Sequence, residues 1–221
     1  MKKLIIIPVI IILVIAGVAL YFINNNNDVL LKAYLQENSG NYTLVITGPN
    51  TKTPSDAWTM ANVESKDAEH YNSIPWNTDK AKKVNKIIIQ DEIKPISTAF
   101  WFIGFENLEV IEGLDKINTS SLENMAAMFS GCKSIKEIDL SSFNTTKVKS
   151  IVNLFYGCEN LEKVYVSDKW DATNVEYSDN MFYDCKKLIG PNGTEYNEYI
   201  VDKTFAQVDD LDNAGYLTLK N

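Results

Sequence analysis

Three cysteines recur at a nearly constant spacing, and the repeat that they mark constrains the fold of this chain most strongly. Cys132, Cys158 and Cys185 are separated by 26 and 27 residues, and each lies in a similar phrase, FSGCKSI, FYGCENL or FYDCKKL. A fixed period of about 20 to 50 residues is typical of stacked supersecondary units that share one continuous core. We therefore interpret the cysteines first as equivalent repeat positions, and only second as metal ligands or redox groups.

Apolar residues keep the same register as the cysteines. An upstream phrase, FIGFENL, supplies a further copy in which Phe105 takes the place of the cysteine. Equivalent side chains in units stacked at the inter-strand spacing of about 4.8 Å lie on top of one another. The register therefore predicts buried columns of like residues. The phenylalanine column consists of Phe102, Phe129, Phe155 and Phe182.

The pattern within each copy predicts one strand and one helical turn. Residues 137–140 and 163–166 alternate between polar and apolar, as brief strands do. The segments MAAMF, IVNLF and DNMFY lack this alternation and predict a helical turn or 3₁₀ segment on the other side of each coil. A period of about 26 residues lies in the leucine-rich-repeat range of roughly 20 to 29. We therefore predict an α/β solenoid, a short leucine-rich-repeat array of about 26-residue coils with one short parallel strand per coil, capped at both ends.

The repeat phrases resemble those of the BspA-like leucine-rich-repeat surface proteins of bacteria. The resemblance rests on IKEIDLSSFNTTKVKSIVNLFYGCENL and STAFWFIGFENLEVIEGLDKINTSSLENMAAMFSGC, and it covers about residues 74–219. The first coil departs from the family pattern, with Phe105 in the cysteine place and no DLS phrase after Ile111. The resemblance implies a non-enzymatic protein, secreted or at the cell surface, whose role is recognition or adhesion.

An apolar run near the N-terminus predicts that the rest of the chain lies outside the cytoplasm. Residues 4–23 are uncharged, and they are long enough to cross a hydrocarbon core of roughly 30 Å as a helix. Lys2 and Lys3 precede this run and no basic cluster follows it, which places the N-terminus in the cytoplasm and residues 28–221 outside. We predict a single-pass cell-membrane protein anchored through residues 4–23. The alternative is a cleaved signal peptide and secretion.

The chain divides into five predicted segments. These are a transmembrane signal-anchor at 1–23, an asparagine tether at 24–27, an N-terminal cap at 28–82, the repeat array at 83–189 and a C-terminal cap at 190–221. Caps are expected because the uncovered ends of a repeat array expose its apolar columns.

Composition argues against several function classes. A formal net charge of −8 disfavours nucleic acid, whose phosphates require a basic face. The chain has a single histidine, His70, and no clustered cysteine and histidine pairs of the kind that bind zinc. It also lacks a G-x-S-x-G elbow and a phosphate-binding glycine loop. We therefore predict no enzyme, cofactor, metal site or small-molecule substrate. The acidic run from Asp209 to Asp212 is interpreted as a solvated loop.

The cysteines themselves have two interpretations. We expect three buried free thiols that act as small apolar fillers. A Cys132–Cys158 or Cys158–Cys185 disulfide is the alternative, although parallel side-chain directions in stacked units fit disulfide geometry poorly.

Tryptophans and outward strand residues are the candidate binding groups. Trp101 and Trp170 lie in core columns, whereas Trp58 and Trp76 remain open for a surface role. The outward face of the strands forms a continuous surface across the coils, and this is our candidate ligand face. We expect it to bind an extracellular protein or glycan. The alternative is a structural or antigen-display element of the cell envelope with no defined ligand. The candidate ligand-face residues are Glu112, Glu137, Asp139, Lys163 and Tyr165.

Overall fold

The computed structural model describes residues 29–61 and 74–220, and within them the regular structure is mostly β. Within these residues, four short 3₁₀ helices connect or flank the strands: Ala81–Lys83, Leu114–Lys116, Thr119–Ser121 and Lys203–Phe205. The eight strands of the described segments are β1 (Val29–Asn38), β2 (Asn41–Thr47), β3 (Trp58–Ala61), β4 (Val84–Ile89), β5 (Val110–Glu112), β6 (Glu137–Asp139), β7 (Lys163–Val166) and β8 (Leu217–Leu219).

The first five strands form a mixed sheet in the order β3-β1-β2-β4-β5. β1 and β2 form an antiparallel hairpin. Its two turn residues, Ser39 and Gly40, have φ angles of 52° and 89°, as the twist-compatible two-residue turn requires. β2 pairs in parallel with β4, and β4 pairs in parallel with β5. One sheet therefore joins strands of the predicted N-terminal cap to strands of the predicted repeat array.

The last three strands form a separate parallel sheet in the order β6-β7-β8. β6 and β7 come from successive copies of the repeat, and β8 comes from the C-terminal segment. Both sheets lie on one contiguous hydrophobic core that runs from Leu31 in β1 to Leu217 in β8. β8 lies in the segment predicted as the C-terminal cap, and it begins next to the buried Tyr216.

The predicted phenylalanine column is confirmed and forms a continuous stack. The ring centroids of Phe129 and Phe155 are 5.8 Å apart, and those of Phe155 and Phe182 are also 5.8 Å apart, with nearly parallel planes. The last ring, Phe182, meets the edge of Tyr216 at 5.1 Å. All of these side chains are fully buried. Burying an aromatic ring removes roughly 150–250 Å² from water, so the column contributes much of the hydrophobic stabilisation.

The predicted helical turns are wrong, because each copy carries two left-handed residues four positions apart. In one copy these are Asn153 and Gly157, with φ angles of 55° and 68°. A right-handed helix cannot contain such residues, so the segment forms a series of turns. Alternate N–H groups bond to the next copy, as the Phe155 N–H does to the Met181 oxygen at 2.9 Å, and the N–H groups between them bond three residues back within the turns.

The predicted α/β leucine-rich-repeat solenoid is therefore also wrong. The described residues contain no α-helix. The strands of successive copies do not form one parallel sheet either, because β5 ends the first sheet and β6 begins the second. The apolar columns were predicted correctly, but the backbone that carries them forms different hydrogen bonds from those of the predicted strand-and-helix coils.

The predicted membrane span, residues 4–23, and the tether, residues 24–27, lie outside the described residues. Within residues 29–61 and 74–220, no helix is long and apolar enough to cross a membrane.

Candidate binding cleft

A cleft of about 360 Å³ opens where the two sheets part. β5 and β6 come from successive copies, yet no strand ladder joins them in the described part of the chain. Ile111 and Leu114 form one side of the cleft, and Ile138 lies on the other. Pockets that hold small ligands have volumes of about 300–1,000 Å³. The gap between the sheets is therefore large enough for a small ligand or for part of a larger one.

Gly113 shapes the wall that the first copy contributes. Its φ angle is 82°, and a side chain at this position would collide with the carbonyl oxygen of Ile89. The chain turns at this glycine into the 3₁₀ helix Leu114–Lys116. In the next copy the chain continues from β6 to Leu140, whose N–H bonds to the Tyr165 oxygen at 2.8 Å. This difference between the two copies coincides with the parting of the sheets.

Three side chains interact at the end of the cleft, and Lys163 flanks one of them. The Lys220 ammonium contacts a carboxylate oxygen of Asp139 at 2.5 Å and lies 5.7 Å from the centroid of the Tyr165 ring. The ammonium of Lys163 lies 6.0 Å from the same centroid. Cations within about 6 Å of an aromatic centroid are attracted by its electron-rich face. The Tyr165 ring is therefore held among charged groups at the edge of the cleft.

Asp139 keeps its negative charge because of its neighbours. Partial burial would raise its pKa, but hydrogen bonds from Lys220 and Ser141 outweigh this and hold the pKa below its ordinary value. Ser141 donates to one carboxylate oxygen of Asp139 through its N–H at 3.0 Å and its hydroxyl at 2.6 Å. The same ion pair raises the pKa of Lys220. The cleft therefore presents a fixed pair of opposite charges over a wide pH range.

The structure brings three of the five predicted ligand-face residues to the cleft and places two elsewhere. Glu137, Asp139 and Tyr165 line it. Glu112 forms an ion pair with Lys86 across β4 and β5, with a distance of 2.7 Å, and does not line the cleft. Lys163 pairs with Glu137 in the β6–β7 register and flanks the Tyr165 ring. The ligand role of all five residues remains a prediction.

Sequence reasoning missed the contribution of the C-terminus to this cleft. Lys220 reaches Asp139 because β8 pairs in parallel with β7, which places Lys220 beside Tyr165. Three further lining residues were also missed, and they add one carboxylate and two hydroxyls to the cleft: Asp115, Ser141 and Ser142. The missing DLS phrase after Ile111 was the available signal, since an irregular copy interrupts the ladder at that position.

The four tryptophans fall into two groups. Trp76 and Trp101 are buried, and the Trp76 indole N–H donates to the Trp101 carbonyl oxygen, so the open surface role for Trp76 is wrong. Trp170 is half-buried and donates to the Ala206 carbonyl oxygen at 2.9 Å. Trp58 is half-buried and lines a separate pocket in the first sheet.

The cysteines occupy the core, as the repeat predicts. All three are free and buried, which confirms the expected thiols over the disulfide alternative. Each thiol donates to a carbonyl oxygen in the preceding copy, as Cys132 does to Phe102 at 3.2 Å. Burial raises the pKa values of all three thiols. Among the described residues, no group of histidine, cysteine and carboxylate side chains is arranged to hold a metal ion.

A family model described as "Mycoplasma protein of unknown function, DUF285" matches residues 96–212, more than half of the chain. The matched region contains both walls of the cleft and Tyr165, but it excludes Lys220 and the first four strands. No curated protein and no solved structure matches the chain significantly.

Proposed function

Since the chain belongs to the DUF285 family, whose description assigns no activity, we propose a function from the cleft: an extracytoplasmic recognition module that binds a glycan without catalysis. The observation that carries this proposal is the arrangement of Tyr165, Asp139 and Lys220 at the end of a 360 Å³ cleft. A recognition module of this kind could bind a protein in place of a glycan.

The side chains of the cleft suit a hydroxyl-rich ligand. Asp139 and Glu137 offer carboxylate acceptors, Lys220 offers an ammonium donor, and Ser141 can both donate and accept. Ile111 is half-buried and supplies an apolar surface against which the carbon skeleton of a sugar can lie. A mixture of apolar surface and a few placed polar groups is typical of small-ligand sites.

An extracytoplasmic location is part of the same proposal. The resemblance of the repeats to BspA-like surface proteins supports it, and so does the apolar run that precedes the described residues. Protease treatment of intact cells, with mass analysis of the N-terminus, tests this location. We expect residues 28–221 to be cut on intact cells. Resistance on intact cells followed by cleavage after lysis would contradict the location.

A printed glycan array tests the binding role. The purified full chain is expected to bind at least one glycan, and Y165A and D139N are expected to lose at least tenfold in signal. D179N is a matched acidic control because Asp179 is exposed and does not line the cleft. Y199A is a matched tyrosine control, since Tyr199 is strongly exposed elsewhere on the surface. If the wild-type protein bound no glycan on the array, the glycan proposal would be overturned. That result would favour a protein ligand, or a structural or antigen-display role with no defined ligand.

A further inference from the structure

A second pocket, of about 440 Å³, lies at the free end of the β1–β2 hairpin and is separate from the cleft. Its apolar lining comes from Tyr34, Leu35, Tyr42 and Trp58. Leu35, Tyr42 and Trp58 pack partly against the hydrophobic core, so they are held in place and are not loose surface groups. The pocket therefore has a preformed aromatic lining.

The register of the sheet explains why Leu35, Tyr42 and Trp58 meet, whereas Tyr34 points to the opposite face of β1. Trp58 pairs with Ala33 in β1, and Tyr42 pairs with Glu37 at the other end of the same strand. Directly paired residues of antiparallel strands point to the same face, and alternate residues of one strand do so too. The core face of the sheet therefore continues past the edge of the hydrophobic core, and three side chains lie on this part of it: Trp58, Leu35 and Tyr42.

Acidic groups surround this lining. Glu37, Asp56 and Asp79 line the pocket, and Lys80 is the single basic residue among its lining groups. The Tyr42 hydroxyl donates to Glu37 at 3.2 Å, which orients the ring. Three carboxylates against one ammonium leave the pocket with an excess of negative charge at neutral pH.

One aromatic ring of the pocket already holds a cation. The ammonium of Lys80 lies 5.1 Å from the centroid of the Tyr42 ring, within the range of cation–π attraction. Lys80 is exposed and its side chain is long and flexible, so a ligand can displace it from the ring. This internal contact shows which chemistry the lining favours, because the same ring face and the same carboxylates attract any cation of suitable size.

We propose that this pocket binds a small organic cation, such as a quaternary ammonium compound, between its aromatic rings and its carboxylates. Rings of tyrosine and tryptophan with nearby carboxylates are the groups that recognise quaternary ammonium ions. Lys80 acts as an internal competitor, since it places a positive charge on the Tyr42 ring. The inference does not depend on the glycan proposal, because the two sites share no residue.

Calorimetric titration of the full chain with choline chloride tests the proposal. The neutral isostere 3,3-dimethyl-1-butanol has almost the same shape, so we expect choline to bind at least tenfold more tightly. Methyl β-glucoside serves as a sugar probe and is expected not to compete. Equal affinity for choline and its neutral isostere, or competition by the glucoside, would overturn the assignment to a cation.

Substitutions with opposite expected effects separate binding from folding. W58A is expected to abolish choline binding, and D79N, at an exposed position, is expected to weaken it by about threefold. K80M should strengthen binding by about threefold, because it removes the internal competitor. A destabilised protein would not bind more tightly, so weaker binding by K80M would contradict the proposal. Y165A in the cleft should leave choline binding unchanged, which distinguishes failure here from failure of the glycan site.

Discussion

The thiol of Cys158 donates a hydrogen bond to the carbonyl oxygen of Phe129, 3.1 Å away in the preceding copy of the repeat. The same oxygen accepts the N–H of Cys132 at 3.1 Å. Cys158 therefore contributes a polar link between copies as well as filling space in the core. Its role is structural, since burial leaves the thiol without access to solvent.

The thiols should be unreactive in the folded protein. Burial raises their pKa values, and the thiolate is the reactive form of cysteine. We expect iodoacetamide at pH 8 to modify none of the three cysteines in native protein and all of them in urea, as measured by mass spectrometry. Rapid native labelling at Cys158 would contradict a closed core.

Replacing Cys158 by serine should destabilise the protein by about 1–3 kcal/mol. A hydroxyl can keep the bond to Phe129, but it is smaller and costs more to bury than a thiol. Urea unfolding followed by tryptophan fluorescence measures the change. An unchanged free energy of unfolding would show that the position is not buried as described.

Position 157 should require glycine because of its left-handed backbone conformation, and not because a larger side chain would collide with its neighbours. Its φ angle is 68°, yet a side chain there would make only ordinary contact with Gly131. We expect G157A to cost about 1–2 kcal/mol of unfolding free energy, the cost of a left-handed residue. G48A is the matched control, because Gly48 has ordinary backbone angles and room for a methyl group, and it should change stability by less than about 1 kcal/mol. Equal effects of the two substitutions would contradict this reasoning.

Asp209 should anchor the C-terminal segment. It is only 4% exposed, and its carboxylate accepts hydrogen bonds from Thr194, Asn192 and Gly215. Replacing it by alanine leaves these donors unpaired, and we expect a loss of about 2–4 kcal/mol. D212A, at an exposed position in the same acidic run, should cost less than about 0.5 kcal/mol. Thermal unfolding of both variants measures the difference.

The contribution of Asp209 should also depend on pH in a defined direction. Burial would raise its pKa, but the hydrogen bonds from Thr194, Asn192 and Gly215 hold it below the ordinary value. The stabilisation is therefore complete above the unfolded-state pKa of about 3.9 and is lost as the pH falls through the lower folded-state pKa. The stability gap between wild type and D209A should narrow on acidification below about pH 4. A gap that widens there would contradict the assigned charge.

Lys220 should control the ionisation of Asp139. The ion pair lowers the pKa of Asp139, so K220M should raise that pKa, as followed by NMR of its carboxyl carbon. K163M is the control, because Lys163 makes no ion pair with Asp139. Both lysines are at the surface, so neither substitution should change stability by more than about 1 kcal/mol. An unchanged pKa in K220M would show that the pair does not persist in solution.

The columns of the repeat could be predicted because they follow from periodicity alone. Phe155 and Cys158 lie where the alignment of copies places them, fully buried between their equivalents. Helical turns were predicted from apolar composition, but composition does not reveal that Asn153 takes left-handed angles. The asparagine and glycine four positions apart were the available signal, since both residue types tolerate that region.

The cleft and its surroundings depend on contacts between distant parts of the chain. Lys220 meets Asp139 only after β8 has joined β7, and no local pattern predicts that pairing. Asp209 was interpreted as part of a solvated loop because of its acidic neighbours, whereas it is buried by Gly190 and Thr194 from the preceding turn. A charged residue satisfied by backbone N–H groups cannot be told from a solvated one by sequence alone.

The affinity of the full chain for its strongest array glycan, measured by calorimetry for wild type, Y165A and Y199A, tests the central claim most directly. We predict that Y165A weakens binding at least tenfold, because Tyr165 borders the cleft between the two sheets. Y199A should bind within about twofold of wild type, since its exposed ring lies outside the cleft. Equal affinities for wild type and Y165A would show that the cleft is not the recognition site.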